Sequence, residues 1–205
     1  KEPYIERDTK LAIGFKDNLI RVIIGPRRAG KSFFVLHWLK KNAKFGYVNF
    51  DDEKLSSVEN FNELIVAVDS LYGAPEFLVL DEIQNVDKWE LIANRLQRQG
   101  KRLFITGSNS NLLSKELATH LTGRHLPINV FPFSFKEFIK FQNKQLTDTE
   151  TREKLFEYAK HGGYPEPLVK NADFNDYLSN LFNAILYKDI IKRYKIRKPN
   201  AIEDL

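Results

Sequence analysis

The 205-residue sequence predicts an α/β fold: a five-stranded parallel sheet flanked by helices, followed by a small all-helical unit. Three observations carry that expectation. Strand-like and helix-like segments alternate up to residue 131. The strand segments are apolar almost throughout, as strands covered on both faces must be. One glycine-rich stretch, GPRRAGKS at 25–32, lies directly behind a strand segment and directly before a helical one.

In order, RVIIG (Arg21–Gly25) reads as the first strand, and Ser32–Asn42 as a helix with apolar residues on one face. FGYVNF (Phe45–Phe50) is the second strand, and the helix after it lies in VENFNELIVAVDSLY. FLVLDE (Phe77–Glu82) is the third strand, and Trp89–Gly100 an amphipathic helix stopped by its glycine. RLFITGS (Arg102–Ser108) is the fourth strand, a short helix follows near Asn111–Leu121, and LPINVF (Leu126–Phe131) is the fifth strand. After Pro132 the period changes. FSFKEFIKF, TETREKLFEYAKH and ADFNDYLSNLFNAILYKDIIKRY all read as helix, so a boundary falls between 1–131 and 132–205.

GPRRAGKS has the spacing G-x-x-x-x-G-K-[ST] of a phosphate-binding loop. The reason is physical: glycines let the backbone curl with its N–H groups inward, and the following helix adds the positive end of its dipole. Gly25, Pro26, Arg27, Arg28, Ala29, Gly30, Lys31, Ser32 and Phe33 form the expected cradle. Lys31 would meet the β- and γ-phosphates, and the Ser32 hydroxyl would ligate Mg²⁺.

FLVLDE supplies an acidic pair at a strand's C-terminal end, where open α/β sheets place ligands. Asp81 can hold Mg²⁺ and Glu82 can polarise an attacking water. The competing reading is that the two acids merely begin a helix. TGSNS ends the fourth strand, and a polar side chain there would orient the water; Asn109 is preferred over Thr106 and Ser108. Arg124, before the fifth strand, reads either as a structural ion-pair residue or as an arginine finger. GGYPEPL (Gly162–Leu168) reads as a tight connector, or as a loop that presses Pro165 against a nucleotide.

Composition bounds the rest. Cysteine is absent, so disulfides, thiol chemistry and Cys-based zinc sites are excluded. No apolar run approaches the ~20 residues of a membrane span, and the charged start KEPYIERDTK does not resemble a signal peptide, so a cytoplasmic protein is expected. The chain begins with Lys1, contains no Met and ends in AIEDL, which leads us to expect a piece of a longer protein. The formal charge is +5, and the stretch 188–198 carries that whole excess. That stretch reads as a DNA-facing helix or as a solvated helix end.

Taken together, GPRRAGKS, YVNFDDEKL, FLVLDEIQ, ITGSNS, LTGRHLPINVFPFSFKEF, GGYPEPL and YKDIIKRYKIR resemble the prokaryotic AAA-type P-loop ATPases, across essentially the whole chain. The resemblance implies an ATPase core, a helical lid and, in full-length members, a winged-helix or nuclease-like C-terminal region. It implies ATP/ADP and Mg²⁺ as cofactors, with Lys31 and Ser32 in Walker A, Asp81 and Glu82 in Walker B, and Asn109 as sensor. By the same resemblance Arg124 is a finger offered to a neighbouring subunit of a homo-oligomer, and adenine lies near Tyr4 and Ile5. No arginine of the helical part answers to the family's second sensor. The guanine-reading N-K-x-D motif is absent, which favours ATP over GTP. Two other functions stand beside hydrolysis: a slowly hydrolysing ATP-dependent switch, and a nucleic-acid-binding module regulated by ATP.

Overall fold

A computed structural model describes residues 4–11, 17–56, 58, 60–108, 121, 123–141, 145–191 and 196. Contacts within it cluster into two units, Tyr4–Pro132 and the residues from Phe133 onward.

The first unit is a parallel sheet in the order β2-β3-β4-β1-β5, with β1 Ile20–Ile24, β2 Phe45–Asn49, β3 Phe77–Asp81, β4 Arg102–Gly107 and β5 His125–Asn129. Burial follows position. β1 and β3 are buried at every residue and β4 at all but its first, whereas β2 alternates and β5 is mostly exposed. The two edge strands are therefore those with interrupted apolar runs. Pro127 sits in β5, where a missing ladder N–H costs least.

Successive side chains point to opposite faces of the sheet. On one face, Ile20, Val22 and Ile24 of β1 join Leu78, Leu80, Leu103 and Ile105. They pack against Phe61 and Val68 of α3 (Phe61–Tyr72) and Trp89, Ala93 and Leu96 of α4 (Trp89–Arg98). On the other face, Ile23, Val79, Phe104 and Ile128 pack against Phe34, Val35 and Leu39 of α1 (Lys31–Asn42). A short helix α2 (Glu53–Ser56) and a 3₁₀ turn at Ile83–Asn85 were not expected from the sequence. The helix predicted near 111–121 lies almost wholly outside the described residues.

The second unit explains two sequence motifs structurally. In PFSFKEF, the Ser134 backbone N–H donates to Glu137 Oε2 (2.8 Å) and the Glu137 N–H to Ser134 Oγ (3.2 Å), a capping box that starts the helix Phe135–Phe141. Its rings meet the next helix, Asp148–His161: Tyr158 lies 5.6 Å from Phe135 and 5.5 Å from Phe138 between centroids. In GGYPE, the Phe133 N–H donates to the Gly163 carbonyl at 2.7 Å, while Tyr158 Oη donates to the Phe133 carbonyl at 2.8 Å. Pro165 is the first residue of the helix Pro165–Lys170, as its fixed φ favours. The long helix expected over 172–194 is α-helical at Phe174–Ala184 and then widens to π spacing over Ile185–Ile191.

A Cβ at Gly163 would stand 2.0 Å from the Phe133 carbonyl oxygen, so the two backbones meet only because that atom is missing. Gly163→Ala should therefore destabilise the second unit by about 1–3 kcal/mol, the usual range for forced overpacking. A lower urea midpoint for the helical signal is the expected result, and an unchanged midpoint would disprove the close approach.

Candidate active site

The phosphate-loop segment connects β1 to α1. Gly25 opens it beside the end of β5: Val130 donates its N–H to the Ile24 carbonyl at 2.7 Å, and a Cβ at Gly25 would lie 1.8 Å from the Val130 oxygen. Within the loop Ala29 N–H donates to the Pro26 carbonyl at 3.2 Å, and both Arg28 and Gly30 have positive φ. Arg7 ties the loop from outside. Its guanidinium donates to the Ala29 carbonyl at 3.2 Å and, through its other nitrogen, to the Phe131 carbonyl. No side chain caps the N-terminus of α1, and its first turn holds no acid. Those N–H groups thus stand where a phosphate could take them.

Lys31 is 4% exposed; its Nζ donates to the Pro26 carbonyl at 3.0 Å and lies 3.9 Å from Glu82 Oε1. Ser32 Oγ donates to Asp81 Oδ1 at 2.8 Å, across 49 residues of chain. The sheet order makes this meeting possible. β4 separates β1 from β3, and Thr106 of β4, paired with Ile23, fills the gap between them. Fully buried, Thr106 donates its hydroxyl to Asp81 Oδ1 and accepts the Glu82 N–H at 3.2 Å. Glu82 adopts a left-handed backbone, φ 52°, and its Oε2 accepts from Gln84 Nε2 at 2.5 Å.

Asp81, 4% exposed, receives a third hydroxyl: Tyr47 Oη donates to its Oδ2 at 2.7 Å. Burial, and then this bond to a carboxylate, push the Tyr47 phenol well above the ordinary tyrosine range, so it remains a donor. Tyr47, Thr106 in this role, Gln84 and Arg7 are the contacts that sequence reasoning missed. Alternation in FGYVN was the available signal for Tyr47, since its register partner Val79 precedes Asp81 by two residues on the same face.

Of the other expected site residues, Asn109 lies outside the described residues. So do the charged side chains of 188–198. Phe33 is exposed on α1. Pro165 belongs to the second unit. Tyr4 stacks on His37 of α1, centroids 3.5 Å apart, beside partly buried Ile5. Arg124 is not brought to the cluster. Its carbonyl accepts the Ile20 N–H at 2.9 Å, at the start of β1, whereas the loop follows the end of β1. At about 3.3 Å per residue the strand separates the two by roughly 16 Å. The Arg124 side chain is exposed and has no ion-pair partner among the described residues.

The donor set fits Mg²⁺ with a nucleotide. A hydroxyl and a carboxylate are hard oxygen ligands, and Mg²⁺ takes one or two protein oxygens with substrate phosphates and water. No cluster of three or more His, Cys, Asp or Glu side chains exists among the described residues, and such a mode needs none. No helix among them is long and apolar enough to cross a membrane.

Fold and site together define an α/β P-loop fold of AAA-like architecture. Residues 17–139, more than half of the chain, match the AAA domain family, and the chain belongs to it. It is 37% identical to an uncharacterized protein of Methanocaldococcus jannaschii, covering 100% of this chain and 49% of that protein. It is 33% identical to an uncharacterized Haemophilus influenzae protein, covering 100% of this chain and 54% of that one. The chain thus spans about half the length of the curated relatives it matches. Among solved structures, the Walker-type ATPase PABY2304 of Pyrococcus abyssi shares the fold. Its TM-score is 0.51 at 15% identity, over 89% of this chain and 71% of that one.

Thr106→Val keeps the shape of the side chain but removes a donor to Asp81 and the acceptor for the Glu82 N–H. A loss of about 1–3 kcal/mol in urea unfolding is expected, the cost of leaving buried polar groups unmade. An unchanged stability would show that Thr106 does not hold the acidic pair.

Proposed function

We propose that this chain is the ATPase part of a Mg²⁺-dependent AAA-type enzyme that hydrolyses ATP and transmits nucleotide state to its helical unit. The observation that carries the reading is the 2.8 Å meeting of Ser32 and Asp81, with Lys31 and Glu82 beside them. Bound MgATP would supply the transferable phosphoryl group and a metal that offsets its charge.

Each residue then has a task. Residues 25–33 form the phosphate cradle, donating through their available backbone N–H groups, and Lys31 would direct its ammonium at the β- and γ-oxygens. Ser32 and Asp81 would hold the metal; Ser32 can ligate through a lone pair while its O–H still donates to Asp81. Glu82 takes the proton of the attacking water, with Gln84 orienting the carboxylate. Asn109 and Pro165 take the sensor and lid roles that the family resemblance implies. Arg124 serves a neighbouring protomer, since its own loop is a strand length away. Its backbone is held firmly enough for that: the Arg124 carbonyl takes the Ile20 N–H at 2.9 Å.

Lys31→Ala should weaken ATP binding by at least about ten-fold in calorimetry, because it removes the cation facing the phosphates. Glu82→Gln should keep ATP bound and slow hydrolysis by about 10²-fold, the scale of a lost general base. Wild-type turnover in Glu82→Gln would reduce Glu82 to a structural acid.

Arg124→Ala should leave ATP affinity nearly intact and abolish a rise of specific activity with protein concentration. Mixing Arg124→Ala with Glu82→Gln should restore turnover at interfaces that join an intact base to an intact arginine. Concentration-independent activity with no rescue on mixing would end the assignment in trans.

A further inference from the structure

We propose that Tyr47 is a positioning residue for the divalent cation, its phenol setting the direction in which Asp81 offers its one remaining lone pair. The proposal rests on the reading of Asp81 as the metal carboxylate.

A carboxylate has about four acceptor directions, two on each oxygen. On Asp81, Oδ1 accepts from both Ser32 and Thr106, which occupies that atom. Among the described residues, Oδ2 accepts from Tyr47 alone. One direction remains, and it lies on the oxygen that Tyr47 holds. The two donors on Oδ1 restrain that oxygen, and Oδ1 leaves its place if the carboxylate turns. A donor on Oδ2 restrains the second oxygen directly, stiffening the carboxylate against the tilts that hydrogen bonds at one oxygen permit, and with it the direction of the free lone pair.

Only a long side chain can do this from β2. Asn49 is directly opposite Asp81 in the ladder, but its Oδ1 accepts the Asp51 N–H at 3.0 Å and so closes its own turn. Tyr47 lies opposite Val79, two residues earlier on the same face, and its ring spans the diagonal. Phenylalanine would keep that ring and delete one oxygen.

The test is ADP affinity by calorimetry across a Mg²⁺ titration, with the whole 205-residue chain. Tyr47→Phe should require about ten-fold more Mg²⁺ for half of the Mg²⁺-dependent gain in affinity, the usual effect of losing a ligand's hydrogen-bond partner. Affinity in EDTA should match that of wild type. Equal losses with and without Mg²⁺, or an unfolded variant, would indicate a purely structural tyrosine and overturn the proposal. Asp81→Asn separates the underlying reading. If it leaves the Mg²⁺ midpoint unmoved, Asp81 is not the metal carboxylate and both ideas fail. If it shifts the midpoint and Tyr47→Phe does not, the Tyr47 proposal alone fails.

Discussion

A carboxylate almost without solvent access needs compensation from the protein, and the site is organised around that requirement at Asp81. Three hydroxyls meet it, from α1, β2 and β4. Each donor comes from a different element, so the bonds exist only when the sheet is assembled in its observed order. The same node orders its neighbourhood: Thr106 passes from Asp81 to the Glu82 amide, and Ser32 sits one residue beyond Lys31. Neutral donors suit this position. They solvate the carboxylate without cancelling its charge, so it can still attract a cation.

The loop is constrained from the other side by backbone rather than charge. Gly25 touches the Val130 carbonyl, and Arg7 joins the Ala29 and Phe131 carbonyls. Those bonds use carbonyl oxygens and leave N–H groups for an anion, which is the polarity a phosphate cradle needs. The N-terminal segment is itself fastened to α1, where Glu6 pairs with Lys41 at 2.9 Å and Tyr4 stacks on His37. The segment near which the resemblance places adenine joins α1, the loop and the exit of β5.

In the second unit, local architecture accounts for two sequence motifs. PFSFKEF contains a helix start in which serine and glutamate exchange backbone bonds. GGYPE supplies the glycine that lets one backbone lie against another.

The fold class, the strand positions and the loop with its lysine, serine and acidic pair were legible in the sequence alone. Each is a local property. Continuous apolar runs mark strands buried on two faces, G-x-x-x-x-G-K-[ST] marks a particular backbone path, and an acid ending an apolar strand must emerge at the sheet's rim. Tertiary structure decided what depends on register and strand order. Because β4 lies between β1 and β3, Thr106 within the strand touches Asp81. Because β2 pairs with β3, a tyrosine that reads as an ordinary strand residue reaches the site. Because β5 runs parallel to β1, Arg124 stands at the far end from its own loop. Spacing along a chain measures none of these distances; hydrogen bonds between strands set them.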